Sequence, residues 1–336
     1  MNFYWLMLIK AAVVSGTLLF CLLYIQWVER KILAHVQLRL GPYRVGPHGL
    51  LQPIADTLKL LVKEDLVPQR VHKFLYLFAP FLAVTLALMQ ISVIPFGPQI
   101  EVAGVRTWMQ LTDLNIGVLF VLAVSSLTVY GIVLAGWASN SKYPLLGGLR
   151  SAAQMVGYEL PAGMAIAAPL LLSNTLSLRE IVETQTHFYG GLFPAWNLFR
   201  LPLPQVVSFV IFMVASFAET NRVPFDLPEA ENELVAGFHT EYSSMKFACF
   251  FMAEYANMIT VSALATTMFL GGWLGPIGPS PAWFLGKVFL LLFLFIWLRA
   301  TLPRFRYDQL MHFGWKWLLP LALLNVAWSA LWALKG

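Results

Sequence analysis

The feature that most constrains this sequence is a series of apolar blocks, each about as long as the ~20 residues needed to cross roughly 30 Å of hydrocarbon. Because lipid offers no partners for open backbone groups, such blocks must be helical. We predict an all-α polytopic membrane protein, a single membrane domain over residues 1–336. The eight predicted spans cover residues 6–28, 74–95, 115–137, 150–172, 203–219, 243–270, 281–302 and 314–334.

The composition agrees with a membrane protein and excludes several kinds of site. Hydrophobic residues make up 59% of the chain and charged residues 12%, whereas about a quarter of a soluble domain is charged. The first apolar block runs on too long for a cleavable signal peptide and lacks a small-residue cleavage site. Cys21 and Cys249 each lie in an apolar block without a CxxC spacing, which excludes an iron–sulfur cluster held by the thiolates of this chain alone.

Nucleotide and metal motifs are also missing from the sequence. There is no GxGxxG before a helix and no Walker sequence, and the six histidines have no metal-ligand spacing. We therefore expect this chain to bind no cofactor and no metal by itself.

The distribution of Lys and Arg among the loops predicts the orientation of the spans. The odd-numbered loops are rich in these residues and the even-numbered loops are poor. The odd loops should therefore face the cytoplasm or the equivalent matrix side, with both termini on the opposite side. The long loops on the positive side cover residues about 29–73 and 219–242. This topology explains the net charge of +5 without nucleic acid.

The first loop contains a Gly/Pro-rich turn, LRLGPYRVGPHG, followed by a helical pattern, GLLQPIADTLKLLVKED. Its apolar residues recur at helical spacing, and Asp56 falls opposite Ile54. Two interpretations stay open for this segment. It is an amphipathic helix lying flat at the membrane interface, or it is one wall of a cavity for an amphipathic ligand with Asp56 as the polar feature.

Four acids lie inside or at the ends of the predicted spans. Glu159 and Glu254 are well inside the fourth and sixth spans, Glu219 ends the fifth, and Glu241 begins the sixth. An ionisable group at the bilayer centre costs about 2.5–3.5 kcal/mol on insertion scales and marks a functional site by default. Pro161 removes a helical donor beside Glu159, so water could reach the freed carbonyl.

These acids suit proton transfer, although a structural alternative exists for each. Buried acids without a cation can carry protons near neutral pH, and neighbouring acids titrate as a coupled group. Alternatively, each Glu is paired to an Arg or Tyr for structure only. For Glu254 the candidate tyrosines are Tyr242 and Tyr255.

The fifth loop, FAETNRVPFDLPEAENELVAGFHTEY (217–242), holds six of the 17 acids of the chain. Asp226 and Glu229 have the spacing of a helix start, with Asp226 as the N-cap and Glu229 three residues on. Part of the acid cluster could therefore serve only to begin a solvated helix. The loop is short and pinned between two spans, which keeps its acids close to the membrane.

Four segments together resemble the signature sequences of one family. They are ERKILAHVQLRLGPYRVGPHGLLQPIADTLKLLVKE (29–64), the fifth loop (217–242), FFMAEY (250–255) and LRATLPRFRYDQLM (298–311). They are similar to the H subunit (subunit 1 in mitochondria) of proton-pumping NADH:quinone oxidoreductase, respiratory complex I. The resemblance covers essentially the whole chain, with eight spans in the expected order.

The resemblance implies a membrane component of a respiratory-chain enzyme that has no redox centre of its own. It would enclose the membrane side of a quinone chamber together with two peripheral subunits and contact neighbouring membrane-arm subunits and lipids. Quinone (ubiquinone or menaquinone) would be the substrate, with FMN and iron–sulfur clusters in partner subunits. The matching chamber positions are Arg30, Arg39, Asp56, Arg222, Asp226, Arg299 and Arg304. The matching carboxylate path is Glu159, Glu219, Glu229, Glu231, Glu233 and Glu241, to which we add Glu254 as a span carboxylate.

Other interpretations compete with this one. A related membrane-bound hydrogenase or ferredoxin-driven dehydrogenase would have a similar anchor subunit. A stand-alone ion or solute transporter often shows internal repeats, which this sequence lacks, and a purely structural anchor would not need Glu159 in a span. For Arg306 topology alone and a role in the site stay equally open, and Asp308 could pair with a base of the seventh loop. We expect a multi-pass protein of a bacterial inner membrane, with the mitochondrial inner membrane as the alternative.

Overall fold

The computed structural model describes residues 3–102, 104–186, 188–189, 193–200, 204–226 and 235–334. Helices dominate these residues. They are α1 (Phe3–Val36), α2 (Gln52–Val62), α3 (Lys73–Ile91), α4 (Gly117–Ala138), α5 (Lys142–Ser173), α6 (Leu178–Glu183), α7 (Pro204–Glu219), α8 (Ser244–Phe269), α9 (Pro281–Thr301), α10 (Tyr307–Phe313) and α11 (Leu319–Ala333). A π-helical turn (Gly314–Leu318) joins α10 to α11, and 3₁₀ turns cover Pro47–Gly49, Asn197–Phe199 and Gly237–His239.

Seven of the described helical stretches are long and apolar enough to cross a membrane. They are α1, α3, α4, α5, α8, α9 and the continuous stretch from α10 to α11. This confirms a mostly helical, multi-pass membrane protein. The fifth predicted span corresponds to α7, which is a shorter apolar helix of 16 residues, so the count of eight stays a prediction.

Several helices extend beyond the apolar blocks that predict them. α1 continues to Val36 rather than ending near residue 28, α5 begins at Lys142 rather than 150, and the last helical stretch begins at Tyr307 rather than 314. Hydropathy marks only the part of a helix that lies in hydrocarbon, whereas backbone hydrogen bonds continue the helix into the polar region. Pro144 does not stop α5 because the first turn of a helix tolerates proline.

Short strands in the second and fourth loops depart from the all-α expectation. β1 (Gly97–Val102) pairs antiparallel with β2 (Val105–Met109), and β3 (Phe188–Tyr189) pairs with β4 (Phe193–Pro194). A search for apolar blocks cannot detect these hairpins because the segments are short and of mixed polarity.

The bundle is built around α8, which is the most buried of the candidate spans, whereas α1 is the most exposed. α3 packs against α4 and α8, and α5 packs against α4, α7 and α11. The largest fully buried side chains include Tyr76, Tyr158, Phe269 and Phe284. α5 approaches the 3₁₀ turn at Gly237 so closely that a Cβ on Gly147 would lie 2.7 Å from the Gly237 Cα.

The amphipathic segment of the first loop forms a helix, α2, as the spacing predicts. Its C-terminal end is fastened to the start of α8, because Ser244 Oγ donates to the Leu60 carbonyl at 2.8 Å and Lys246 Nζ lies 2.8 Å from Asp65 Oδ2. The exposed apolar residues here are Leu51, immediately before α2, and Ile54, Leu58, Leu61 and Val62 of α2. This face is therefore left uncovered by the described part of the chain.

Candidate functional site

A cluster of buried charges forms where α1, α8 and α9 meet the segment that follows α7. Arg222 Nε lies 2.8 Å from Glu254 Oε1, and Arg222 Nη1 donates to Glu29 Oε1 at 3.4 Å. Arg299 Nη1 donates to the same Glu29 oxygen. The Tyr255 hydroxyl donates to the other oxygen, Glu29 Oε2, at 2.7 Å. Glu29 is therefore the common acceptor of the cluster.

The cluster keeps its charges compensated. The side chains of Glu29 and Arg222 are only 4% and 7% exposed, and charges removed from water to this extent need partners. The Arg222 guanidinium also lies over the Tyr255 ring, 4.2 Å from its centroid. Burial lowers the pKa of Arg222, but Glu254, Tyr255 and Glu29 together raise the pKa above its usual value. Arg222 is therefore a permanent cation.

The segment that carries this arginine is held in place by α5. Gln154 Nε2 donates to the carbonyls of Ala218 and Phe225, both at 2.8 Å. Asn221 Nδ2 donates to Ser151 Oγ at 2.9 Å. Asn221 adopts a left-handed conformation with φ of 50°, which Asn tolerates better than most residues. The chain thus turns sharply after α7 and returns toward α1.

A polar cavity of about 190 Å³ lies within this cluster and is lined by Glu29, Arg30, Leu33, Asn221, Arg222, Val223, Asp226, Phe251, Glu254, Tyr255 and Arg299. Two further ion pairs stand at its edge. Arg304 Nη2 donates to Asp226 Oδ2 at 2.9 Å, and Arg30 Nη1 donates to Asp56 Oδ2 at 2.6 Å. Since Asp56 belongs to α2, the amphipathic helix is joined to the cavity by its polar face.

A smaller cavity of about 40 Å³ connects this region with Glu219. Its lining includes Glu219, His239 and Asn257, and it shares Asn221, Phe251 and Glu254 with the polar cavity. One water needs roughly 10–15 Å³ of such space, so the cavity has room for about three waters. Glu254 therefore stands between two cavities that water can occupy.

Beyond the small cavity, two half-buried acids contact adjacent serines of α4. Ser125 Oγ donates to Glu219, and Ser126 Oγ donates to Glu159. Within the described part of the chain, neither acid forms an ion pair with Lys or Arg, in contrast to Glu29 and Glu254. We call Glu159 and Glu219 the carboxyl pair, and Ser125 and Ser126 are the serines that contact it.

An apolar cavity of about 490 Å³ lies between α1 and α9, with Ile259 and Ala263 of α8 behind it. Along α1 its lining runs from Val13 to Ile32, a distance of about 28 Å at ~1.5 Å per residue. At the end that is lined by Ile32 and Ile296, it lies next to the polar cavity, whose lining includes Glu29 of α1 and Arg299 of α9. A polar and an apolar cavity are thus adjacent on the same helices.

Most of the predicted chamber residues come together at the polar cavity, namely Arg30, Asp56, Arg222, Asp226, Arg299 and Arg304. Arg39 lies apart on the exposed stretch after α1, where its Nε donates to Gln37 Oε1 at 2.7 Å. The predicted pairing of Asp308 with a base of the seventh loop is confirmed, because Arg306 Nε lies 3.1 Å from Asp308 Oδ1.

The predicted path residues fall into three groups. Glu159 and Glu219 form the carboxyl pair, whereas Glu254 is an ion-pair partner of Arg222. Glu241 lies next to α3, where its backbone carbonyl accepts from the Tyr76 hydroxyl at 2.7 Å. Glu229, Glu231 and Glu233 lie outside the described residues, and so does the rest of the helix predicted to start at Asp226.

The sequence interpretation missed Glu29 and the two serines. Glu29 is followed by Arg30 and Lys31 at the end of an apolar block, so it resembles an ordinary charged span end. Its partners Arg222 and Arg299 are 193 and 270 residues away. The only signal was two adjacent hydroxyls, Ser125 and Ser126, in an apolar span, and by itself it indicates no partner.

This fold and this site define a multi-pass membrane protein with a buried, charge-compensated cavity beside an apolar one. The profile of the NADH dehydrogenase family matches residues 9–330, and the chain belongs to that family. It is 58% identical to the first of the H subunits of NADH-quinone oxidoreductase in Solibacter usitatus, over 98% of each chain. It is 54% identical to the corresponding first H subunit of Geobacter sulfurreducens, over 97% of this chain and 94% of that protein. It is 53% identical to the H subunit of Protochlamydia amoebophila, over 93% and 92%.

Proposed function

We infer that this chain works as a membrane subunit of a proton-translocating NADH-quinone oxidoreductase, respiratory complex I. The observation that carries this inference is the polar cavity with compensated charges directly beside an apolar cavity. A quinone has a polar headgroup and an apolar tail, so it matches both environments. The names of relatives that are 51–58% identical over nearly the full length support the same function.

The polar cavity is the membrane-side part of the quinone chamber in this proposal. Fixed ion pairs around a cavity orient a polar headgroup without having to move. Arg222 and Arg299 would provide positive charge near the carbonyl oxygens of the headgroup, while Glu29 holds both cations in position. Arg30, Asp56, Asp226 and Arg304 would form the rim. The assignment of Arg39 rests on the family resemblance alone.

The isoprenoid tail would lie in the apolar cavity between α1 and α9. The cavity runs for about 28 Å along α1 at ~1.5 Å per residue, which is longer than one leaflet of a bilayer with a core of roughly 30 Å. A long isoprenoid chain needs such a length, and the exposed apolar residues of α2 offer a further surface on the face opposite Asp56.

A carboxylate path would lead from the chamber into the bundle. Glu254 borders both the polar and the small cavity, Glu219 borders the small cavity, and Glu159 follows on α5 beyond the serines. A change of charge in the chamber would change the number of protons bound by Glu219 and Glu159, because Glu254 connects the two cavities. Glu229, Glu231, Glu233 and Glu241 extend this path by the resemblance.

The surroundings of the chain follow from this function as proposals. The partners are peripheral-arm subunits of the quinone site that carry FMN and iron–sulfur clusters, neighbouring membrane-arm subunits and lipids. Eight spans with both termini on the non-cytoplasmic side, in a bacterial inner membrane, fit the loop charges and the bacterial relatives.

Copurification in mild detergent tests the proposed partners. Partners with flavin and NADH-dependent quinone reduction would support the proposal, and a hydrogenase partner or a lone chain would contradict it.

The carboxylate path is tested by Glu159→Gln, Glu219→Gln and Glu241→Gln in membranes that contain the assembled complex. We expect slower NADH:quinone reduction and fewer protons pumped, because glutamine keeps the size but cannot carry the proton. Glu101→Gln is the control, since Glu101 is exposed on β1 and its pair with Arg106 is long, at 4.0 Å. Normal reduction and pumping in all three variants of an assembled complex would refute the path.

The chamber is tested separately through quinone kinetics. Asp56→Ala and Arg222→Ala should each raise the concentration of short-chain quinone needed for half-maximal rate. The size of the effect should grow when the tail is shortened, since a long tail anchors the quinone independently of the headgroup. Unchanged quinone kinetics in an assembled complex would contradict the assignment.

A further inference from the structure

Two adjacent serines on α4 each contact a different acid. Ser125 Oγ donates to Glu219 at the end of α7, and Ser126 Oγ donates to Glu159 within α5. Neighbouring residues on a helix point about 100° apart, so one short stretch of α4 can serve carboxyls on two different helices. The two acids are thus held around a common element, and among the described residues neither is paired with a Lys or Arg.

Ser126 has a second acceptor within reach, the carbonyl of Leu122 at 3.0 Å. A hydroxyl has a single proton to donate but can also accept. When Glu159 is ionised it only accepts, so Ser126 donates to it. When Glu159 is protonated it can donate to Ser126 Oγ, and the Ser126 proton is then free for the Leu122 carbonyl. The hydroxyl can therefore satisfy both protonation states of Glu159.

Another serine of the same span provides a reference. Ser139, at the C-terminal end of α4, donates to the Ala135 carbonyl at 2.8 Å, the usual bond of a helical serine to the residue four positions back. Ser126 makes the same kind of bond to Leu122 and has a carboxyl in addition. Within the described part of the chain, Ser126 thus contacts an acid, whereas Ser139 makes only the bond within its helix.

We propose that Ser125 and Ser126 are positioning residues for proton transfer between Glu219 and Glu159, and that the Ser126 hydroxyl turns between Glu159 and the Leu122 carbonyl as Glu159 loses and gains a proton. The proposal rests on the carboxylate path inferred above. In the step, an O–H bond breaks on one carboxyl and forms on the other, with water as the intermediate carrier. Each serine has one proton before and after.

The test uses the whole complex in proteoliposomes with Ser126→Ala, Ser126→Thr and Ser139→Ala, and the corresponding two variants of Ser125. For Ser126→Ala we expect pumping-coupled quinone reduction to fall about tenfold, which corresponds to ~1.4 kcal/mol in the barrier. We also expect a displaced pH profile and a changed infrared band of the protonated Glu159 carboxyl, identified by its loss in Glu159→Gln. Ser126→Thr keeps the hydroxyl and should restore most of the rate.

The outcomes separate this proposal from the path on which it rests. Impairment by Ser126→Ala, rescue by Ser126→Thr and near-normal behaviour of Ser139→Ala would support it. Normal pumping and an unchanged pH profile in Ser126→Ala, alongside impaired Glu159→Gln and Glu219→Gln, would overturn it and leave the path intact. Equal impairment in Ser139→Ala would also overturn it, because helix packing would then explain the loss. If both Gln variants were normal, proton transfer between Glu219 and Glu159 would be excluded, and the proposal would be overturned together with that part of the path.

Discussion

The charged cluster around Glu29 and the carboxyl pair surround their acids with different chemical groups. Glu29 and Glu254 face the guanidinium groups of Arg222 and Arg299, so two acids meet two permanent cations. Glu159 and Glu219 face serine hydroxyls, and among the described residues no cation pairs with them. A cation fixes an acid in its ionised form, whereas a hydroxyl can serve either form.

Under the proposed function, this difference suits the two regions to different tasks. Acids paired with guanidinium groups are suited to holding a cavity in shape and orienting a polar ligand, because the ion pairs fix their positions. Acids that contact neutral hydroxyls are suited to taking up and releasing protons. Glu254 stands between the two, since it is paired with Arg222 and also lines the small cavity with Glu219. Substitutions in each region can test whether the contrast holds.

The largest effect is expected from Arg222→Met. The substitution removes a buried cation and leaves Glu29 and Glu254 short of compensation, and breaking a buried pair in this way costs about 3–5 kcal/mol. We expect a large loss of assembled complex and a lower midpoint of thermal unfolding in mild detergent. Arg306→Met is the matched control, because the pair of Arg306 with Asp308 is exposed and such pairs contribute roughly 0–1 kcal/mol.

A double-mutant cycle identifies the origin of this loss. Arg222→Met together with Glu254→Met removes both charges of one pair, so part of the lost stability should return if the penalty comes from uncompensated charge. An effect of Arg222→Met no larger than that of Arg306→Met would show that the cluster is hydrated rather than buried. The contrast with the carboxyl pair would then disappear.

A smaller effect is expected from Tyr255→Phe, which removes the hydroxyl that donates to Glu29 Oε2 at 2.7 Å. A hydrogen bond to a charged group contributes about 1.5–3 kcal/mol. The ring remains over the Arg222 guanidinium, so the cation–π contact is preserved. Thermal unfolding measures the loss, and Tyr130→Phe, at an exposed position of α4, is the control. Equal stability of both variants would mean that water replaces the hydroxyl at Glu29.

Gly147→Ala tests the support of the region around the small cavity. A Cβ there would lie 2.7 Å from the Gly237 Cα, and backbone cannot move aside as a flexible side chain can. Overpacking of this kind costs about 1–3 kcal/mol. Gly163→Ala on the same helix meets nothing within 4 Å, and should be neutral or stabilising by up to ~1 kcal/mol through helix propensity. Equal thermal stabilities of the two variants would contradict the close contact between α5 and the turn at Gly237.

The sequence predicts well what depends on local periodicity. Apolar blocks predict the long spans, and the spacing of Ile54, Leu58 and Leu61 predicts α2 as an amphipathic helix. Acids inside spans, such as Glu159, are conspicuous because hydrocarbon excludes charge. These signals depend on neighbouring residues only, so they can be detected in a single sequence.

Partners that are distant in the chain could not be predicted from one sequence. The pairing of Glu29 with Arg222 and Arg299 depends on how α1, α9 and the segment after α7 pack together. The helix ends also escaped prediction, since the hydrogen bonds of α5 begin at Lys142, before the apolar block starts. The hairpin of β1 and β2 has no apolar block to mark it. For Glu29 the missing information is tertiary, whereas for the helix ends and the hairpin it is local backbone hydrogen bonding, which hydropathy does not record.

The smallest effect on stability is expected from Arg30→Gln, at the rim of the polar cavity. The side chain of Arg30 is 52% exposed, so its 2.6 Å pair with Asp56 is screened by water and contributes roughly 0–1 kcal/mol. The same change removes a positive charge from the cavity, so the concentration of short-chain quinone needed for half-maximal rate should rise while thermal unfolding stays nearly constant. Arg306→Gln should change neither quantity. If Arg30→Gln instead destabilised the complex as much as Tyr255→Phe, the rim would belong to the buried cluster. The region of ion-paired charges would then extend from Glu29 to Asp56 on α2, and it would contrast with the carboxyl pair over more than the residues that line the polar cavity.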